Sequence, residues 1–291
     1  MKLEKDFAHM ADSPHQAIPT SEYTFEQLAD IYNRAREDYI VPMPMNARRM
    51  KEYVQTYDVD LDASYVAVDK EDGEVNGICM LGVRDDTTWI TRLGVIPVRR
   101  RKRAGLFLME IEIEASRQLN KNYVQLEVIK GNEPAQRLFK KLGFEITREL
   151  LVIRRPPEPV DQSLIPPMRI EPITGNDVFS ALEERERGVA WKEQTASLRN
   201  AGNMQGLWVT LDDDQAGWIV YQKSAFQLSH FVIQPNISDD MIHALICAVH
   251  LTHAQQDTKV ENVPPTHPTW DIFQRFGYFV AFSRLEMILT L

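Results

Sequence analysis

The 291-residue chain is 44% hydrophobic and 26% charged, with 13 Gly and 16 Pro, enough apolar content for two packed cores at about 100–200 residues per domain. No apolar run approaches the roughly 20 residues of a membrane span, and the opening MKLEKDFAHMADS lacks the apolar stretch of a secretory signal, so a cytoplasmic protein with no membrane partner is expected. From Glu158 onward the chain carries 9 Lys+Arg and 17 Asp+Glu, so −8 of the total −9 lies there, which argues against nonspecific nucleic-acid binding. The two cysteines, Cys79 and Cys247, stand in apolar contexts (GICML and LICAVH). They exclude a disulfide framework or thiolate zinc site and read as core residues.

In chain order, TFEQLADIYNRAREDY (24–39) spaces Phe25, Leu28, Ile31, Tyr32 and Ala35 as one apolar helix face, and MNARRMKEYVQTY (45–57) predicts a second helix. SYVAV (64–68), EVNGICMLGV (74–83) and TTWITRLGVI (87–96) are β-branched or aromatic runs separated by DKEDG and RDD, which predicts a three-strand meander. A basic run from Arg99 to Arg103 follows Pro97, and LFLMEIEIEASRQL (106–119) predicts a helix with Leu108, Ile111, Ala115 and Leu119 inward. YVQLEVI (123–129) reads as a strand. In NEPAQRLFKKLGF (132–144), Asn132 can cap a helix, Pro134 suits its first turn, and Gly143 can close it in the left-handed conformation. FEITRELLVIRR (144–155) is then expected to complete a mixed α/β unit over 1–155. PPEPVDQSLIPP (156–167), with five prolines in twelve positions, is expected to link it to a second domain over 168–291.

The informative segment is LGVIPVRRRKRAGLFLME (93–110). A strand passes through a short cationic loop into a helix whose first N–H groups lack intrahelical partners, a ready site for anionic oxygens. A cationic run is ordinarily a solvated surface; its place between strand and helix favours phosphate binding here. With Arg100 and Gly105 at the outer positions of an Arg/Gln-x-x-Gly-x-Gly/Ala pattern, Val95-Ile96-Pro97 before it, and Asn132, Ala135, Leu138, Phe139, Gly143 and Phe144 downstream, residues 18 to 155 resemble the GNAT superfamily of N-acetyltransferases.

The resemblance implies an α/β fold of tandem GNAT-like domains, each a mostly antiparallel mixed sheet flanked by helices, and acetyl-CoA as cosubstrate without a metal. It implies main-chain contacts to the pantetheine arm from Leu93 and Val95, a phosphate cradle of Arg100, Arg101, Lys102, Arg103, Ala104 and Gly105, and Asn132 and Phe139 flanking the arm. Arg103 occupies the position of the usual middle glycine, and Phe139 replaces a tyrosine that many members are thought to use as general acid. Glu127 is the candidate general base and Tyr39 a candidate acid/base, with Asp38 and Tyr123 as further candidates; the alternative for Glu127 is a solvated or salt-bridged carboxylate. The acceptor is expected to be a primary amine of a small molecule or peptide and the chain a monomer or homodimer. A noncatalytic acyl-CoA sensor or scaffold is the competing reading.

The C-terminal half echoes the first. LWVTL (207–211), WIVYQ (218–222) and FQLSHFVIQP (226–235) repeat the meander, with Ile233-Gln234-Pro235 lying 138 residues beyond Val95-Ile96-Pro97, and Ile272 to Tyr278 repeat Leu138 to Phe144 at 134 residues. The loop Asn236-Ile237-Ser238-Asp239-Asp240 has no glycine and two carboxylates, so one cofactor per chain is expected, and the acidic half is expected to favour cationic amines. His230, His243, His250, His253 and His267 form no convincing metal set.

Overall fold

The computed structural model describes residues 12–100, 102–183, 188–266 and 268–291. Its elements are β1 (His15–Pro19), α1 (Phe25–Ala35), α2 (Ala47–Thr56), β2 (Val59–Asp69), β3 (Val75–Arg84), β4 (Thr87–Val95), α3 (Ala104–Gln118), β5 (Tyr123–Ile129), α4 (Glu133–Lys141) and β6 (Glu145–Arg155). They continue with β7 (Met168–Ile173), α5 (Asp177–Glu183), α6 (Thr195–Ala201), β8 (Met204–Leu211), β9 (Ala216–Lys223), β10 (Gln227–Ile233), α7 (Asp239–Thr252), β11 (Asp257–Val263), α8 (Pro268–Arg275) and β12 (Phe279–Thr290). Two compact units result: Met1–Thr147 with Glu286–Leu291, and Arg148–Leu285.

In the first unit β1-β2-β3-β4 are antiparallel neighbours and β5 joins β4 in parallel. Helix α1 begins with a reciprocal capping box between Thr24 and Gln27. Its Leu28, Ile31 and Tyr32 pack with Met50 and Val54 of α2 on Val66, Val68, Ile78 and Met80 of the sheet. Gly94 permits close packing there, since a Cβ on it would fall 2.9 Å from the Cβ of Ala35. Cys79 and Cys247 are both buried free thiols.

The second unit repeats the plan, with β7-β8-β9-β10 antiparallel and β11 parallel to β10. It differs from the sequence-based division in its last strand. β5 is followed in its sheet by β12, and β11 by β6, so the repeats exchange their sixth strands rather than each using its own. In the first unit Gln125 Nε2 donates to Glu286 Oε1 at 2.6 Å, and Leu291 N donates to Asn122 O at 3.0 Å. In the second, Leu151, Ile153, Arg154 and Arg155 pair with β11.

Residues 156–167 belong to the second unit. Arg155 donates to the carbonyls of Glu158 and Phe276, His243 Nε2 donates to Leu164 O at 2.7 Å, and Val160 is buried. The segment is therefore not a free extended linker: it includes a 3-10 turn at Gln162–Leu164 and is held by these contacts.

Candidate functional site

β4 and β5 pair only from Thr87↔Tyr123 to Ile90↔Leu126. β4 nevertheless runs on to Val95 and β5 to Ile129, so the strands part where each still carries backbone donors and acceptors. The cause lies in β4: Arg92 adopts φ 55° and the β3–β4 register shifts between Ile78 and Met80, a bulge that bends the strand. A groove of about 580 Å³ opens there, lined by Leu93, Gly94 and Val95, by Arg36, Asp38 and Tyr39 beyond α1, by Arg100, Arg103, Ala104 and Gly105, and by Asn132 and Leu138.

At one end of the groove stands the N-terminus of α3. Arg103, its N-cap, has φ 64° and provides no side-chain cap, so the first-turn N–H groups stay available to an anion. The preceding loop is clamped from behind: His15 Nε2 donates to Lys102 O at 2.7 Å, while His15 Nδ1 accepts from Asn76 Nδ2 at 3.0 Å. The cations of the loop are largely matched by carboxylates. Arg99 pairs with Asp72, Arg100 grips Asp38 through both terminal nitrogens at 2.6 and 2.7 Å, and Lys102 pairs with Asp69 at 2.8 Å. Lys102 holds the buried Asp69 carboxyl down to about 2, and Arg100 lowers that of Asp38. Among the described residues Arg103 has no ion-pair partner; Arg101 lies outside them.

An anion-binding end and a strand-edge channel are thus contiguous. Residues 25–144 match the family model for acetyltransferases of the GNAT family. Those residues are a GNAT acetyltransferase domain. Over 83 residues the chain is 31% identical to a protein of Bacillus subtilis (strain 168) named for alanine N-acetylation of ribosomal protein bS18; that stretch is 28% of this chain and 54% of the relative, so about half the relative's length is spanned. Solved structures similar to most of this chain include two proteins of comparable length. A tandem GNAT protein from the clavulanic acid biosynthesis pathway is 15% identical with TM-score 0.64, covering 95% of this chain and 98% of that one. A GCN5-related N-acetyltransferase from Sphaerobacter thermophilus is 15% identical with TM-score 0.65, covering 95% of each.

Within the GNAT domain the other candidates fall in separate surroundings. Tyr39 lines the groove beneath the Arg36 guanidinium, 4.0 Å from its ring centre, and Arg36 Nη2 donates to Leu93 O at 3.3 Å. Glu127 is absent from the groove lining. It contributes to the field that raises the Tyr53 hydroxyl, whose main cause is burial. Tyr53 bonds Thr91 Oγ1 at 2.5 Å and stacks 3.8 Å beneath Arg92, which also donates to Tyr32 OH. Phe139 is only 5% exposed and packs on Phe144 at 6.1 Å; Pro134, Ala135 and Leu138 are the apolar α4 residues that line the groove. Asn132 caps α4 by accepting from Ala135 N. Tyr123 is exposed at the start of β5.

The roles of His15, Asn76, Arg36 and Arg92 were not apparent from sequence. Each acts through a partner far along the chain, and only the unusual φ at Arg92 marks its position. The second unit keeps the bulge, at His230 with φ 54°, but α7 is capped by Ser238 accepting from Met241 N and has Asp239 and Asp240 in its first turn. Among the described residues no group of three His, Cys, Asp or Glu could hold a metal, and no helix is long and apolar enough to cross a membrane. His267 lies outside them.

Proposed function

We propose that the chain is an acetyl-CoA-dependent N-acetyltransferase that acetylates a primary amine of a small molecule or peptide, working in the cytoplasm as a monomer or homodimer. The observation that carries this reading is the alignment of the β4 edge, splayed away from β5 beyond Ile90, with the uncapped N-terminus of α3 inside a segment matching the family model. The donor set fits a pyrophosphate and its arm: open amides at Ala104 and Gly105, the unpaired Arg103 guanidinium, and Arg100 if it exchanges Asp38 for phosphate. Leu93 and Val95 offer the strand edge, and Asn132 closes the wall. A bound acyl thioester supplies the activated acyl group.

The chain's own residues must then deliver a neutral amine. For a lysine-like amine, deprotonation at pH 7 costs about 4.6 kcal/mol, and a peptide α-amine with pKa near 8 costs far less. That difference, with the Bacillus subtilis relative named for alanine N-acetylation, favours a peptide N-terminus. Glu127 would take the proton from an acceptor approaching past Tyr53, and Tyr39 would return one on the groove side. Phe139 lacks a hydroxyl, so no proton comes from that position.

A thiol-release assay with acetyl-CoA over N-terminal-alanine peptides, lysine and polyamines tests the reading. Turnover on at least one class is expected, lost in Gly105→Glu. Tight acetyl-CoA binding without turnover on any amine would instead support the noncatalytic sensor, the reading that buried, hydroxyl-free Phe139 favours.

A further inference from the structure

The second unit holds a cleft with no counterpart in the proposed reaction. It measures about 430 Å³ and is lined among others by Ile173, Thr174, Asp177, Trp208, Trp218 and Gln234. Its floor is aromatic. Trp208 and Trp218 are directly opposed across β8 and β9, so their side chains share one sheet face. Trp218 is 3% exposed beneath α5, whereas Trp208 is 39% exposed and leaves part of its indole open to solvent.

Among the described residues, the one charged residue lining this floor is acidic. Asp177 is exposed and forms no ion pair among the described residues, and no Lys, Arg or His lines the cleft. Glu171 stands opposite Trp208 on the other side, in the β7–β8 register. Its neighbour Arg169, 3.8 Å away, is the one cation on β7. Asp212, Asp213 and Asp214 form the exposed turn of the same hairpin, about 13 Å along the strand from Trp208. An indole face carries negative quadrupole density and attracts a cation within about 6 Å. A planar guanidinium stacks on it and can still present N–H groups edge-on to a carboxylate.

We propose that this cleft is a docking site for an arginine side chain of a basic partner polypeptide, with the guanidinium stacked on Trp208 and paired with Asp177. Charge complementarity selects the occupant: the cleft offers the accessible Trp208 face and the Asp177 carboxylate, and no cation that would receive an anion. The proposal does not depend on acetyl transfer.

The test uses the full chain and a short, fluorescently labelled Arg-Gly repeat peptide with a blocked N-terminus, which cannot serve as an acceptor. Its citrulline counterpart keeps shape and hydrogen bonding while losing charge. The arginine peptide is expected to bind more tightly than the citrulline peptide by at least about tenfold, with salt weakening it. Trp208→Ala and the surface variant Asp177→Asn should each weaken binding by about fivefold or more while leaving acetyl-CoA affinity unchanged. Equal binding of both peptides, or parental binding by a folded Asp177→Asn protein, would overturn the proposal. So would spermine binding at Trp208 that the arginine peptide fails to displace, which would make the occupant a small polyamine.

Discussion

Arg103 holds a backbone conformation that side-chain-bearing residues adopt at a cost of about 1–2 kcal/mol, partly offset because glycine loses more freedom on folding. Arg103→Gly is therefore expected to raise unfolding stability by up to about 1 kcal/mol, read by urea titration, and to leave acetyl-CoA affinity unchanged or higher. Weaker binding in that variant would make the guanidinium itself a phosphate ligand. The sequence pattern located this loop correctly as a strand-to-helix connection, yet not its ion pairs, because Asp38, Asp69 and Asp72 lie 62, 33 and 27 residues from their partners. A second single-residue test concerns His250, fully buried beside Phe231 and Phe276 with Nε2 2.9 Å from Tyr278 OH. Burial, helped by the charge of Arg155 and by His253, pushes it down to about 3. The folded state thus keeps His250 neutral while the unfolded chain protonates near 6.5. The stability it contributes is present above that value and falls away as pH drops from 6.5 toward 3. Between pH 7 and 5 the parent should lose about 2 kcal/mol that His250→Gln does not lose; equal losses in both would remove this role.

At the scale of elements, the groove depends on how tightly α1 lies on β4. A Cβ on Gly94 would press on Ala35 Cβ at 2.9 Å, in a core with little slack. Gly94→Ala should cost about 1–3 kcal/mol and weaken acetyl-CoA binding by displacing Arg36 and Tyr39; unchanged affinity in that variant would detach the α1 end from the site. The helices and the meander strands were legible from periodicity and turn residues. What periodicity could not carry was register. β2 begins at Val59, five residues before the expected run; Asp60 folds its carboxylate onto the amides of Asp62 and Ala63 inside an irregular strand, and the acidic residues there break the β-branched pattern. The bulge at Arg92 was hidden for a related reason: nothing in WITRL disfavours an ordinary strand, and the bulge is fixed by where Arg92 meets Tyr53 and Tyr32.

For the molecule as a whole, the first unit is completed by the chain's last residues. Met287 is fully buried, Glu286 accepts from Gln125 and from Thr147, and Leu291 N bonds Asn122 O. Loss of a buried methionine alone costs about 2–5 kcal/mol, so truncation after Leu285 is expected to lower the thermal midpoint of the first unit markedly, and a synthetic 279–291 peptide should restore part of it. No change on truncation would contradict the exchange of strands between repeats. Duplication was readable from the offsets of 138 and 134 residues; the exchange was not, because FEITRELLVIRR is an equally good strand for either sheet. The duplicated fold also frames the central claim, that one repeat binds acyl-CoA and the other has lost that capacity. Calorimetric titration of the intact chain with acetyl-CoA measures it most directly, alongside Gly105→Glu, whose Cβ would make ordinary contact at 3.4 Å from Val95 Cγ2 and whose folding is checked by its thermal midpoint. A stoichiometry near one, abolished in that variant, is predicted. A stoichiometry near two, or parental binding by folded Gly105→Glu, would contradict the account.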